Sequence, residues 1–139
     1  MTIQTIVDNY KLVFNKAFQF SGRATRSEYW LFALANFMIS ILLSIVDSAI
    51  FGNGKDKVQM FSSLFSLITL IPSIAVMIRR LHDTDKSGWF ALLLLIPFIG
   101  WLILLIWFVT DSTPGDNKYG PNPKAKTTPT PTLTPSTQL

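Results

Sequence analysis

The residues of this sequence best equipped for chemistry lie in one run, Arg79-Arg80-Leu81-His82-Asp83-Thr84-Asp85-Lys86-Ser87-Gly88-Trp89, which holds the chain's only histidine, two acids and three bases. A lone histidine cannot supply the paired imidazoles of the common zinc motifs. Asp83 and Asp85 would bind a hard cation only weakly without further oxygen ligands, and Ser87 lacks the framework that activates a nucleophile. With no cysteine in the chain, thiolate chemistry, disulfides and Cys-ligated metals are excluded. Neither catalysis nor a metal or cofactor is expected. What these residue types can do is hold an anion. Arg79 and Arg80 offer planar guanidinium forks to phosphate, Asp83 can orient one of them, and His82 adds a donor when protonated. Arg23 and Arg26 offer a second pair of forks. Together Arg23, Arg26, Arg79, Arg80, His82 and Asp83 form a candidate site for an anionic lipid headgroup or the acidic segment of a partner protein.

The elements that must position these residues are apolar and long. Residues 58–78 before the run and 89–109 after it carry no formal charge, and residues 29–51 carry only Asp47. About 20 such residues cross a bilayer at 1.5 Å rise each. The spacing therefore predicts an all-α membrane protein with three transmembrane helices over residues 29–51, 58–78 and 89–109, the ionisable run being a tight hairpin connector at the membrane surface. Composition agrees: of 139 residues 49% are hydrophobic and 14% charged, against about a quarter charged in soluble domains, and mean hydropathy is positive. The net charge of +4 sits at the ends of apolar spans, where it suits anionic phospholipid headgroups rather than nucleic acid.

Ahead of the spans, Ile3, Ile6, Val7, Tyr10, Val13, Phe14, Ala17 and Phe18 recur at the spacing of an amphipathic helix. Residues 1–20 are expected in the membrane interface with the aromatic face at the acyl boundary; packing on a soluble partner is the alternative. They lack the pattern of a signal peptide, so the first span is expected to direct insertion. Residues 21–121 form the transmembrane domain. Residues 122–139, rich in Thr and Pro, cannot bury a core and are expected to be disordered.

Polar residues in the first two spans are not scattered. Asn36, Ser40, Ser44 and Asp47 share one helical face, and so do Ser62, Ser66, Thr69 and Ser73. In an antiparallel hairpin the stripes meet as Asp47 with Ser62, Ser44 with Ser66, Ser40 with Thr69 and Asn36 with Ser73. Small polar residues let helix backbones approach and hydrogen-bond across a seam, and this reading is preferred to a polar permeation path. Asp47, near the outer end of its helix, is expected to be a solvated interfacial carboxylate. The third span has no such stripe and should face lipid, bending near Pro97.

With three spans, Lys11, Lys16, Arg23, Arg26, Arg79, Arg80 and Lys86 share one side against Lys55, Lys57, Lys118, Lys124 and Lys126. The positive-inside rule then puts the N-terminus in the cytoplasm by a narrow margin.

Four phrases in order carry a resemblance: Phe20-Ser21-Gly22-Arg23-Ala24-Thr25-Arg26 with Glu28-Tyr29-Trp30; Arg79-Arg80-Leu81-His82-Asp83 with Ser87-Gly88-Trp89; Ile96-Pro97-Phe98-Ile99-Gly100-Trp101; and Pro114-Gly115-Asp116-Asn117 with Tyr119-Gly120-Pro121 and Pro123. Over about residues 10–123 the chain resembles the bacterial inner-membrane family known as domain of unknown function 805. The resemblance implies a small multi-pass protein of the bacterial inner membrane and carries no established activity with it. The favoured function is thus a non-enzymatic module that binds lipid headgroups or assists another membrane protein, or a second copy of itself. A small transporter or channel subunit using the polar seam comes second, and a membrane-embedded enzyme acting on lipid third.

Overall fold

Thr2 and Thr25 open the first two helices by accepting the backbone N–H of Thr5 and Glu28 on their side chains, which satisfies donors that a helix start leaves without partners. In this computed structural model, which describes residues 1–54 and 59–125, they begin α1 (Ile3–Asn15) and α2 (Arg26–Phe51). Next come α3 (Met60–Asp83), a 3₁₀ helix (Gly88–Leu95) and α4 (Ile99–Val109). α2 and α3 are long and apolar enough to cross a membrane. They pair antiparallel: Asp47 meets Ser62 at one end, one of the four expected polar pairs, Phe32 shares a buried cluster with Val76, and Glu28 meets Arg79 at the other end.

α1 does not give its apolar face wholly to lipid. Val13 is buried with Ala24, Phe32 and Val76, the Tyr10 ring stacks on Phe32 at 5.1 Å, and the Tyr10 hydroxyl donates to Asn36 Oδ1. The helix closes at Asn15, short of the expected Phe18.

The continuous third helix expected over residues 89–109 is not what forms. Ile96 is extended, the conformation that a following proline favours. Phe98 then adopts φ 62 and ψ −69, with Ile99 N donating to Pro97 O at 2.8 Å, the geometry of a γ-turn. This turn folds the segment back on itself. A Cβ on Gly100 would lie 2.0 Å from Leu93 O, Trp101 Nε1 donates to Leu94 O, and the Phe90 and Trp107 rings meet edge to face at 5.2 Å. The two arms therefore run antiparallel. At about 2.0 Å per residue for the 3₁₀ arm and about 1.5 Å for α4, neither spans the roughly 30 Å of a bilayer core.

A second correction concerns the ionisable run. Arg79 to Asp83 are not a connector; they form the last turn of α3, because that helix continues five residues beyond the apolar stretch. Leu81 is buried there with Met77, Leu104 and Phe108, so α4 packs beside the polar end of α3. Of the residues expected to be disordered, 126–139 lie outside those described, and Asn122 to Ala125 sit in a turn closed by Ala125 N donating to Asn122 O.

Candidate functional site

Asp83 ends α3 and is fully buried. Its carboxylate receives Arg23 Nε at 3.0 Å, Arg80 Nη1 and the Ser112 hydroxyl at 2.5 Å. Arg23 reaches this point from the turn before α2, where Gly22 takes a left-handed φ of 86 and Ala24 N donates to Arg79 O. Its other nitrogens donate to the carbonyls of Thr113 and Gly115. Arg80 spends its remaining donors on Phe108 O and Thr110 O at the end of α4. The α3 terminus is closed from the same segment: Thr113 N donates to Asp83 O and Asn117 Nδ2 to His82 O, which satisfies carbonyls that a helix end leaves unpaired. Beside this cluster Arg79 Nη1 pairs with Glu28, while Arg79 Nε and Nη2 are buried with no hydrogen-bond partner among the described residues.

His82 is held on two sides. Its Nδ1 lies 3.1 Å from Gly22 O, and its ring stacks at 3.9 Å on Tyr119. Arg26 remains exposed, 3.6 Å from Asp111. The Lys124 ammonium and the Ser112 backbone N–H hold the Asp111 carboxyl below the ordinary carboxylate range.

The structure thus brings Arg23, Arg79, Arg80, His82 and Asp83 together and sets Arg26 at the edge. It also changes their expected role, since Arg79 and Arg80 are 1% and 0% exposed and Arg23 and Arg80 direct their donors inward. Of the other described cations, Lys11, Arg26, Lys118 and Lys124 are exposed and Lys16 and Lys86 half-buried. Glu28, Ser112, Thr113 and Asn117, together with the acceptor carbonyls of Phe108, Thr110, Gly115 and Gly120, were outside the expected site. For Ser112, Thr113, Gly115, Asn117 and Gly120 the available signal was the density of turn formers between Asp111 and Pro121.

The polar seam is tied across the two helices at one end. Asp47, expected at a solvated interface, is 1% exposed and accepts from Phe61 N, Ser62 N and the Ser62 hydroxyl. It serves as the cap that Gln59, at the α3 start, does not provide. Ser66 and Thr69 instead donate to carbonyls of their own helix. Asn36 accepts from Tyr10 rather than from Ser73, although both line one cavity with Leu70 and Leu94. Ser40 and Ser44 are half-buried on the α2 face. Among the described residues no three His, Asp or Glu converge as a metal site would.

Residues 17–121 match the model of a family described as a protein of unknown function, DUF805. Inner membrane protein YhaH of Escherichia coli K12 is 41% identical over 118 residues, 85% of this chain and 98% of the relative. Inner membrane protein YhaI of the same strain is 47% identical over 105 residues, 76% of this chain and 86% of the relative. No solved structure matches the chain.

Proposed function

The chain belongs to the DUF805 family, and from that premise we propose that it is a non-enzymatic multi-pass module of the bacterial inner membrane that presents a rigid cationic platform to anionic phospholipid headgroups. The observation that supports this is the double use of Asp83 and Arg23, which tie the segment after α4 to the end of α3 and the start of α2. On this reading α2 and α3 cross the bilayer, while the arm from Gly88 to Val109 enters and returns as a re-entrant hairpin, a shape tolerated where its backbone groups are satisfied within the protein. α1 lies at the membrane boundary against α2. The buried arginines give the platform its shape, and Lys16, Arg26, Lys86, Lys118 and Lys124 give it its charge.

A conduction path has less support. Ser66 and Thr69 bond within α3, and buried Asp47 is committed to the α3 start.

Native mass spectrometry from mixed-lipid nanodiscs tests the proposal. Each juxtamembrane cation contributes about 1 kcal/mol, so Lys16→Ala/Arg26→Ala/Lys124→Ala should lower retention of anionic lipid by about two orders of magnitude. Equal retention by the variant and the wild type would overturn the reading.

A further inference from the structure

The cluster at Asp83 consumes one nitrogen of His82 and leaves the other. Gly22 O can only accept, so in the neutral ring the proton sits on Nδ1. Nε2 then carries a lone pair and has no hydrogen-bond partner among the described residues. This nitrogen faces a cavity of about 320 Å³ lined by Ile78, His82, Ser87, Gly88 and Trp89. Gly88 keeps it open: a Cβ there would stand 2.8 Å from Ile78 Cγ2 and 3.4 Å from His82 Nε2. The ring cannot swing away, because Gly22 O and Tyr119 fix it on its other sides.

No carboxylate lines the cavity, so it offers little to an ammonium. An acceptor nitrogen and the Ser87 hydroxyl instead suit an alcohol. Cations stand nearby: Lys86 adjoins Ser87 in sequence with its Nζ over the Trp107 ring, and Lys118 has its Nζ over the same Tyr119 ring that covers His82. Trp89, 80% exposed, supplies the amphipathic edge that settles at headgroup level. We propose that this cavity binds the polyol of a glycerol phosphate headgroup, with a hydroxyl donating to His82 Nε2 and the phosphate resting on Lys86 and Lys118. The inference rests on the platform reading above and adds to it a choice among anionic lipids.

Because His82 is the only histidine, its imidazole nitrogens can be followed without ambiguity by ¹⁵N NMR in nanodiscs. Phosphatidylglycerol should move the Nε2 resonance and leave Nδ1 in place. Phosphatidic acid, which has the charge without the polyol, should leave both unmoved. Retention of phosphatidylglycerol should exceed that of phosphatidic acid about tenfold, the worth of one charge-independent hydrogen bond of about 1.4 kcal/mol, and Gly88→Ala should remove that preference. Soluble glycerol 3-phosphate, added to nanodiscs of phosphatidic acid, separates the two sources. A shift of Nε2 there supports the same site with a free solute as ligand. An unmoved Nε2 in both phosphatidylglycerol and glycerol 3-phosphate, with anionic lipids retained alike, overturns the inference and leaves the platform standing. Loss of all anionic retention overturns both.

Discussion

Asp83 is the residue on which the polar end depends, because two guanidinium groups and a hydroxyl converge on a carboxylate with no water access. Removing one partner from a buried ion pair leaves an uncompensated charge, a loss of about 3–5 kcal/mol. Asp83→Asn keeps the shape and removes the charge. It should therefore lower thermal stability in detergent far more than Arg26→Ala, whose ion pair with Asp111 is exposed. A melting temperature within error of wild type would show that Arg23 and Arg80 rely on the carbonyls alone. This centre was half legible in the sequence. The ionisable types and their concentration near residues 79–83 and 23–26 identified the participants, but not their direction. Most of the acceptors around Arg23 and Arg80 are backbone carbonyls, which every residue has, so no residue type announces them. Asp47 was misread for a related reason: its place near a helix end suggested solvent, yet the neighbouring helix start at Phe61 and Ser62 needed an acceptor.

At the scale of elements, periodicity and turn chemistry each answered one question. The polar stripes indicated one end of the pairing of α2 with α3, where Asp47 meets Ser62, while Ser66 is exposed and Thr69 bonds within its own helix. Apolar length, by contrast, misled over residues 89–109. Length measures whether a segment can cross, and it does not see that Pro97 withholds an N–H while Gly100 permits the backbone of Leu93 to come close. The hairpin should be sensitive at that contact. In Gly100→Ala the added methyl would meet Leu93 O at 2.0 Å, so the arms must part. A short thiol crosslinker joining Phe90→Cys to Trp107→Cys should react well in the otherwise cysteine-free chain and poorly once Gly100→Ala is added. A single straight helix would hold positions 90 and 107 about 25 Å apart at 1.5 Å per residue, and crosslinking would then fail with or without the alanine.

For the whole molecule, the folded-back segment changes the charge count. The expected three spans divided the lysines and arginines seven to five, too even to orient the chain firmly. When residues 110–125 return to the side of Arg23 and Asp83, Lys118 and Lys124 join Lys16, Arg23, Arg26, Arg79, Arg80 and Lys86 near that end. Only Lys55 and Lys57 of the chain's cations fall in the sequence between α2 and α3. The positive-inside rule acts on such short segments beside the spans, so the proposed topology carries a much stronger orienting bias than the three-span one. The two differ at a single observable. Cysteines introduced singly as Gln4→Cys, Asn53→Cys and Asp116→Cys can be offered to an impermeant maleimide outside intact spheroplasts. Two spans with a re-entrant hairpin expect labelling at position 53 alone, with 4 and 116 labelled only after lysis. Labelling at both 53 and 116 would restore the third crossing, and the hydrogen bonds from Arg23 to the Thr113 and Gly115 carbonyls could not then exist in the membrane, since the bilayer would stand between them.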